Sequence, residues 1–347
     1  MKIAILGDTH FGSRGDHKIF HDFFDRFYTN TFFPYLKEHG ISDVIQLGDL
    51  FDRRKYINFF TLAESKRYFF EPAKEFNLNV LIGNHDIYWR ESLEVNSTSL
   101  VLGEYDNINV FAEPRTINID GTSIDIIPWI CEDNKDSVME FISKSKSDIC
   151  VGHFEIAGFS MYRGAEAHDG LNGNMFSKYE LVLSGHYHTR SKKENIVYTG
   201  TPYEMTWQDY SDPKGFHVFD TKTRKLEFIE NPYTIFHRIE YNDSEKLVEL
   251  DSLDLKDCIV RLIVVNKTDY YKFDQFVTKL YTKGCYEIKI VEDLSEFSEG
   301  EVDEEINLED TVSVLSNYID SLETDADVDQ IKNFMKSLYV EAINQEA

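Results

Sequence analysis

The chain of 347 residues is 42% hydrophobic and 28% charged, which is enough apolar material for a large core and more than one structural unit. Its net charge of −26 argues against a free-standing protein that grips nucleic acid through a basic surface, because phosphate binding draws on Lys and Arg. The opening MKIAILGDTHFG lacks the apolar run and cleavage site of a signal peptide, and no stretch has the length of a membrane span, so a soluble cytoplasmic protein is expected.

From the N-terminus, the strand candidates are KIAIL (2–6), DVIQL (43–47), NVLI (79–82), DIIP (125–128), DICV (148–151) and LVLS (181–184), with helix-like stretches at 16–39 and 59–76. Strands alternating with helices predict a layered α/β domain. The run 107–129 adds hairpin-like strands around an Asp120-Gly121 turn, giving a mixed sheet or two sheets flanked by helices. After Asn231-Pro232 the pattern changes. Residues 258–265 read as a buried strand, 270–283 as a helix and 285–292 as a second strand, a small α+β module. Residues 292–310 hold ten Asp or Glu and no Lys or Arg, the composition of a solvated linker. Two amphipathic stretches follow, one with Leu308, Val312, Leu315, Ile319 and Leu322 on a face, the other with Val328, Ile331, Met335, Leu338 and Tyr339. They either pack on their own protein or dock on a partner. The expected divisions are 1–235, 236–292, 293–307 and 308–347. Acidity concentrates late: residues 240–347 carry 27 Asp+Glu against 10 Lys+Arg. Cys131, Cys150, Cys258 and Cys285 show no CxxC spacing, so reduced thiols are expected rather than a structural zinc site.

Five segments share one design, an apolar strand, a Gly, then metal-ligand residue types: ILGDTH (5–10), QLGDLFD (46–52), LIGNHD (81–86), CVGHFE (150–155) and LSGHYH (183–188). Strand ends in an α/β domain converge on one edge of the sheet. The Gly lets the backbone turn sharply and lets an ion come close. The design would bring Asp8, His10, Asp49, Asn84, His85, His153, His186 and His188 together. Carboxylate, imidazole and amide oxygen suit Mn, Fe or Zn better than Mg or Ca. A carboxylate bridging two ions about 3.5–4 Å apart is the arrangement of two-metal hydrolases. Each piece alone is weak, since a lone His is more often a core or surface residue; the ordered set carries the signal. His17, His21, His39, His168, His217 and His237 fall outside it and read as non-ligands. His186 and His188 share a face only if their segment stays extended.

The motifs LGDTHFG, LGDLFDRR, GNHD, GHFE and SGHYH resemble those of the calcineurin-like phosphoesterases. Their order, with YTGTPYE (198–204) and GFHVFD (215–220), is similar to the SbcD-type nuclease subunits of double-strand-break repair complexes, including those of phage recombination endonucleases, over roughly residues 1–220. The resemblance implies a two-sheet metallophosphoesterase sandwich flanked by helices, a small α+β DNA-capping module and C-terminal partner-binding helices. It implies two divalent ions, Mn foremost, with Mg, Fe or Zn open. One ion would take Asp8, His10, Asp49 and His188; the other would take Asp49, Asn84, His153 and His186, with Asp49 bridging. His85 would face the scissile phosphate and protonate the leaving oxygen or stabilise its charge. Asp52 stands where some family members carry His, and is expected to accept a hydrogen bond from His85. Arg53 either contacts the phosphate bidentately or is a solvated loop arginine beside Arg54 and Lys55.

Also implied are a DNA substrate, Mn-dependent exonuclease action on duplex ends, and endonuclease action on single strands or hairpins. The implied partner is an SMC-like coiled-coil ATPase docking on the C-terminal helices. A homodimer is implied through 16–37, where Phe20, Phe23, Phe24, Phe27 and Tyr28 exceed one buried stripe unless they simply fill the core. Arg53, Arg54 and Lys55, and Arg190, Lys192 and Lys193, offer DNA-backbone contacts or ordinary surface charge. Two alternatives stand. A phosphoesterase for cyclic nucleotides or phosphoproteins has no need of the tail beyond 240. A non-catalytic DNA-end tether has no need of the complete ligand set.

Overall fold

The computed structural model describes residues 1–162 and 165–292; the expected linker at 293–307 and helices at 308–347 lie outside the described residues. Two six-stranded sheets form the body. The first runs Leu226–Glu230, Gly215–Asp220, Lys2–Leu6, Asp43–Gln46, Asn77–Leu81, Ile108–Phe111, with the last four strands parallel. The second runs Ser191–Lys193, Ile196–Tyr198, Leu181–Gly185, Ile149–His153, Thr122–Ile127, Arg115–Ile119, with a parallel centre and antiparallel edges.

The alternation of strand side chains explains the layering. Ile3 and Ile5 face the second sheet, joining Ile45, Leu81, Ile124, Val151 and Leu183 in an aliphatic layer. Ala4 and Leu6 face the other way, into an aromatic core built largely by the flanking helices. Strands buried on both faces read as continuous apolar runs, which is why they were visible in the sequence. The turn at 119–122 also follows from composition. Asp120 and Gly121 both take positive φ, +51° and +78°, as a two-residue hairpin turn requires.

The two long helices depart from the expected unbroken runs. The first comprises Lys18–Phe27, a π turn at Tyr28–Phe32 and a final segment Phe33–Glu38. The second comprises Phe59–Ser65, a π turn at Lys66–Phe70 and Glu71–Ala73. Pro34 and Pro72 stand at the start of each final segment. A proline has no N–H to give and its ring crowds the preceding turn, so a wider π turn before it accommodates both. The aromatic excess at 20–28 has an internal explanation. Phe20, Phe23, Phe24, Phe27 and Tyr28 are each at most 5% exposed within this one chain, so they present no face to a second copy. Phe24 stacks on Tyr203 at 3.7 Å.

Residues 236–292 form a three-stranded parallel sheet, Phe236–Asn242, Ile259–Asn266 and Glu287–Val291, with the helix Tyr270–Tyr281 crossing between the last two. Tyr241, Leu262, Phe273 and Leu280 fill its own core. Phe236, Cys258 and Ile259 instead join the aromatic core of the first sheet. Trp207 meets Phe236 at 4.8 Å, and Glu204 accepts the N–H groups of Ile235 and Phe236 at 2.8 and 3.0 Å. All four cysteines are free thiols. No helix among the described residues is long and apolar enough to cross a membrane.

Candidate two-metal centre

Each ligand segment leaves the C-terminal end of a strand. Asp8 and His10 follow Lys2–Leu6, Asp49 follows Asp43–Gln46, Asn84 follows Asn77–Leu81, His153 ends Ile149–His153, and His186 and His188 follow Leu181–Gly185. Parallel strands of both sheets end on the same rim, so these loops meet. The backbone there is strained at the candidate ligands themselves: His10, Asp49 and His186 hold φ of +40°, +51° and +87°. Non-glycine residues rarely adopt such angles, and they persist where the surroundings fix them, often at functional sites.

The glycines ahead of the ligands divide their work differently from the sequence expectation. Only Gly48 takes positive φ, +98°. Gly83 serves approach instead, since a Cβ there would stand 2.1 Å from Asp49 Oδ1.

The side chains gather into three close groups: Asp8, His10 and His188; His10, Asp52 and His85; and Asp49, His153 and His186. Asp49 Oδ2 lies 3.3 Å from His153 Nε2 and 3.6 Å from His10 Nε2, facing both. Asn84 Oδ1 lies 2.9 Å from His153 Nε2 and 3.0 Å from His186 Nδ1, completing the Asp49 group. His186 and His188 thus part company: the positive φ of His186 breaks the extended path that would have put both on one face. His10 Nε2 and His188 Nε2 are 3.1 Å apart. Neighbouring nitrogens on an ion with bonds of ~2.1 Å stand about 3–3.4 Å apart. Asp8 Oδ1 is buried and has no hydrogen-bond partner among the described residues. A buried orphan carboxylate oxygen is costly unless a cation meets it, so the donor set fits a pair of divalent ions.

The electrostatics follow from crowding buried groups. Burial, opposed by His153 and reinforced by Asp49, pushes Asp8 up to about 7. Burial opposes charge on His10 and His153, yet Asp52 and Asp49 beside the first, and Asp49 and Asp8 beside the second, push both rings up to about 9. Burial disfavours the Asp49 charge, but His153, His85 and His10 hold its carboxyl well below the ordinary range. Burial with His153 pushes His186 far down, and burial with His10 pushes His188 down to about 3.

The three residues expected to act on the substrate stand as follows. The main-chain N–H of His85 donates to Asp49 Oδ1 at 2.8 Å, and its Nδ1 donates to the main-chain carbonyl of Asp52 at 2.6 Å. The expected bond from His85 to the Asp52 carboxylate is therefore corrected. That carboxylate faces His10 Nδ1 at 3.3 Å instead, because the loop turns the Asp52 carbonyl, not its side chain, toward His85. Arg53 pairs with Asp16 at 3.0 Å and donates to the Tyr56 hydroxyl at 2.7 Å, so its guanidinium is held by its own chain. Of the second basic cluster, Arg190 lies 3.5 Å over the Phe228 ring and Lys193 pairs with Glu166.

Several supporting groups were not singled out in the sequence. Asp86 accepts the N–H groups of Leu50 at 3.0 Å and Gly83 at 2.8 Å, tying two ligand loops together. The Leu47 carbonyl accepts from His153 Nδ1 at 2.8 Å, which fixes that ring with Nε2 toward the site. Tyr203 donates to the Thr9 carbonyl at 2.5 Å, between Asp8 and His10. Lys214, buried, donates to the His188 carbonyl at 2.9 Å and pairs with Asp209 at 2.7 Å and Asp212 at 2.9 Å. Thr206 and Asp209 form a capping box, a readable pattern, but nothing in the sequence linked it to His188.

The calcineurin-like phosphoesterase family matches residues 1–190. Exonuclease subunit 1 of Enterobacteria phage T4 is 34% identical over 350 residues, covering 99% of each chain. Among solved structures, an archaeal phosphodiesterase has TM-score 0.35 and 14% identity, covering 66% of this chain and 99% of its own. GAP50, the anchor in the inner membrane complex of Plasmodium, has TM-score 0.37 and 12% identity, covering 67% and 90%.

Proposed function

This chain belongs to the calcineurin-like phosphoesterases, and from that premise we propose that it is a Mn-dependent DNA nuclease with exonuclease action on duplex ends and endonuclease action on single strands or hairpins. The observation that supports the reading is the position of Asp49: its Oδ2 lies 3.3 Å from His153 and 3.6 Å from His10, between two clusters of candidate ligands and near the buried Asp8 Oδ1. Asp8, His10, Asp49 and His188 would hold one ion, and Asp49, Asn84, His153 and His186 the other. When bound, the two cations supply neutralisation of the phosphodiester charge and acidification of the attacking water.

The rest is the work of the chain. His85 keeps its Nδ1 proton on the Asp52 carbonyl, which leaves Nε2 for the substrate. In the imidazolium form Nε2 donates to the leaving oxygen, the role of a general acid. Asp52 orients His10 through its carboxylate, and the Leu47 carbonyl orients His153. The partner in this reading is an SMC-like ATPase that docks on 308–347, with the module at 236–292 covering the DNA. The 34% identity to a phage exonuclease subunit over the whole length supports the choice of DNA over a small diester.

The test is metal content of the purified protein paired with Mn-dependent cleavage of end-labelled DNA. Two bound ions and DNA turnover well above that of bis(p-nitrophenyl) phosphate are expected. His85→Asn should keep the metals and lose about 10²–10⁴-fold in rate. Stoichiometric metal with turnover of small diesters only would overturn the DNA assignment, and His186→Ala losing metal without losing activity would overturn the site.

A further inference from the structure

Immediately after His85 the chain forms a short hairpin, Ile87–Trp89 paired with Ser92–Asn96 around the two-residue turn Arg90-Glu91. Its foot is apolar and fixed. Ile87 is fully buried and Leu93 nearly so, packed with Ile82 and Cys131 and flanked by Trp129. Trp129 in turn lies 5.2 Å from His186 and 5.9 Å from His153. The Glu91 carbonyl accepts the Asp133 N–H at 3.3 Å, which ties the turn to the same wall. The tip is the opposite: Tyr88 is 42% and Trp89 51% exposed, their rings edge-to-face at 5.1 Å.

Single exposed aromatics need no explanation. An adjacent Tyr-Trp pair on a hairpin whose foot packs against the wall of the candidate site does. Tyr88 is three residues from His85, so its Cα lies no farther than about 11 Å away even on a fully extended chain. Nucleic acid held with a phosphate at His85 has its neighbouring bases within reach of that tip. Two of the basic side chains near the ligand loops are already engaged, Arg53 with Asp16 and Lys193 with Glu166, and the chain as a whole carries a net charge of −26. Aromatic stacking is the other source of single-strand affinity, and it is indifferent to sequence because every base has a π face.

We propose that Tyr88 and Trp89 form a base-stacking platform that holds an unpaired nucleotide of single-stranded or frayed DNA beside the metal centre. It rests on the nuclease reading above. Stacking at the tip takes bases that have left the duplex, so the platform favours frayed ends and loops over closed duplex.

The experiment is a titration of the full-length protein with a short phosphorothioate single strand, followed by tryptophan fluorescence and by anisotropy of a labelled strand. Wild type should show quenching that is reduced in Trp89→Phe, which removes one of three tryptophan reporters but keeps a stacking ring and should bind within about threefold of wild type. Trp89→Ala should weaken binding about 5- to 100-fold, and Tyr88→Ala with Trp89→Ala further, while Mn affinity stays that of wild type. Equal affinity in Trp89→Ala and wild type overturns the platform and leaves the nuclease reading standing. Equal weakening on a relaxed, covalently closed circular duplex also overturns it, because such a duplex offers neither a frayed end nor a loop base to stack. A wild-type protein that hydrolyses small diesters but neither binds nor cleaves the strand overturns the nuclease reading and the platform with it.

Discussion

His10 and His153 carry the competition at the site: carboxylates raise both to about 9, and Asp8 is raised by burial to about 7. Metal binding needs these groups deprotonated, so each ion must displace protons. The affinity for Mn should therefore climb by about tenfold per pH unit for each displaced proton between pH 7 and 9, and calorimetric titration at pH 7, 8 and 9 reads it directly. An affinity flat across that range would contradict this crowding of charge. The stability of the metal-free protein should move the opposite way. Raised histidines contribute stability that is whole below 6.5 and lost as pH rises through about 9, and the raised Asp8 carboxyl costs stability once pH exceeds its unfolded 3.8. Asp52 makes a second, sharper case. Its carboxylate faces His10 and its carbonyl holds His85, so Asp52→Asn should lower metal affinity about 10- to 100-fold while leaving the acid function of His85 in place at saturating Mn. A normal metal affinity with a displaced acid limb in the pH–rate profile would favour a direct carboxylate–His85 bond instead.

Among the elements, the strands and the ligand loops were legible, because strands buried on both faces leave unbroken apolar runs such as KIAIL and each ends in a Gly before its ligand. The π turns at Tyr28–Phe32 and Lys66–Phe70 were not legible, since Pro34 and Pro72 signal an interruption without saying how the helix absorbs it. Nor were the partners of the polar residues: that Asp52 meets His10 and that Lys214 reaches His188 depends on loops separated by more than 20 residues in sequence. The segment from the capped turn Trp207–Asp209 to Lys214 is such a hidden support. Asp209 is buried and held below the ordinary range: burial opposes its charge, but Lys214 and His188 overcome it. Removing one member of a buried pair leaves a charge uncompensated, so Lys214→Met should cost roughly 3–5 kcal/mol. Replacing Asp209 as well should recover part of that loss, and denaturant unfolding of the two variants measures the recovery. If the pair mattered only to the fold, the double variant would regain stability and Mn affinity together. Because Lys214 also holds the His188 carbonyl, the double variant should regain stability but bind Mn more weakly than wild type.

For the molecule as a whole, the governing fact is 62 acidic against 36 basic residues in a chain read as acting on a polyanion. Several basic side chains near the ligand loops are engaged by acids of the same chain: Arg53 by Asp16, Lys193 by Glu166, and Arg67 on the neighbouring helix by Glu64 and Asp25. Residues 240–347 add further acid, 27 against 10. DNA affinity falls with salt by a slope of about −0.9 per phosphate neutralised, and proteins with basic surfaces neutralise about 6–10. This chain alone should show a slope no steeper than about −3, with metal ions and stacking supplying what its Lys and Arg do not. The measurement is binding of a labelled hairpin DNA by the full chain between 50 and 200 mM salt, with Ca in place of Mn to prevent cleavage. A partner that supplies the grip would steepen the slope when added, since counterions released by its own basic residues would then enter the equilibrium. A slope near −6 for the chain by itself would mean that it carries a basic DNA track of its own, and the division of labour argued here, chemistry in this subunit and grip in another, would have to be abandoned.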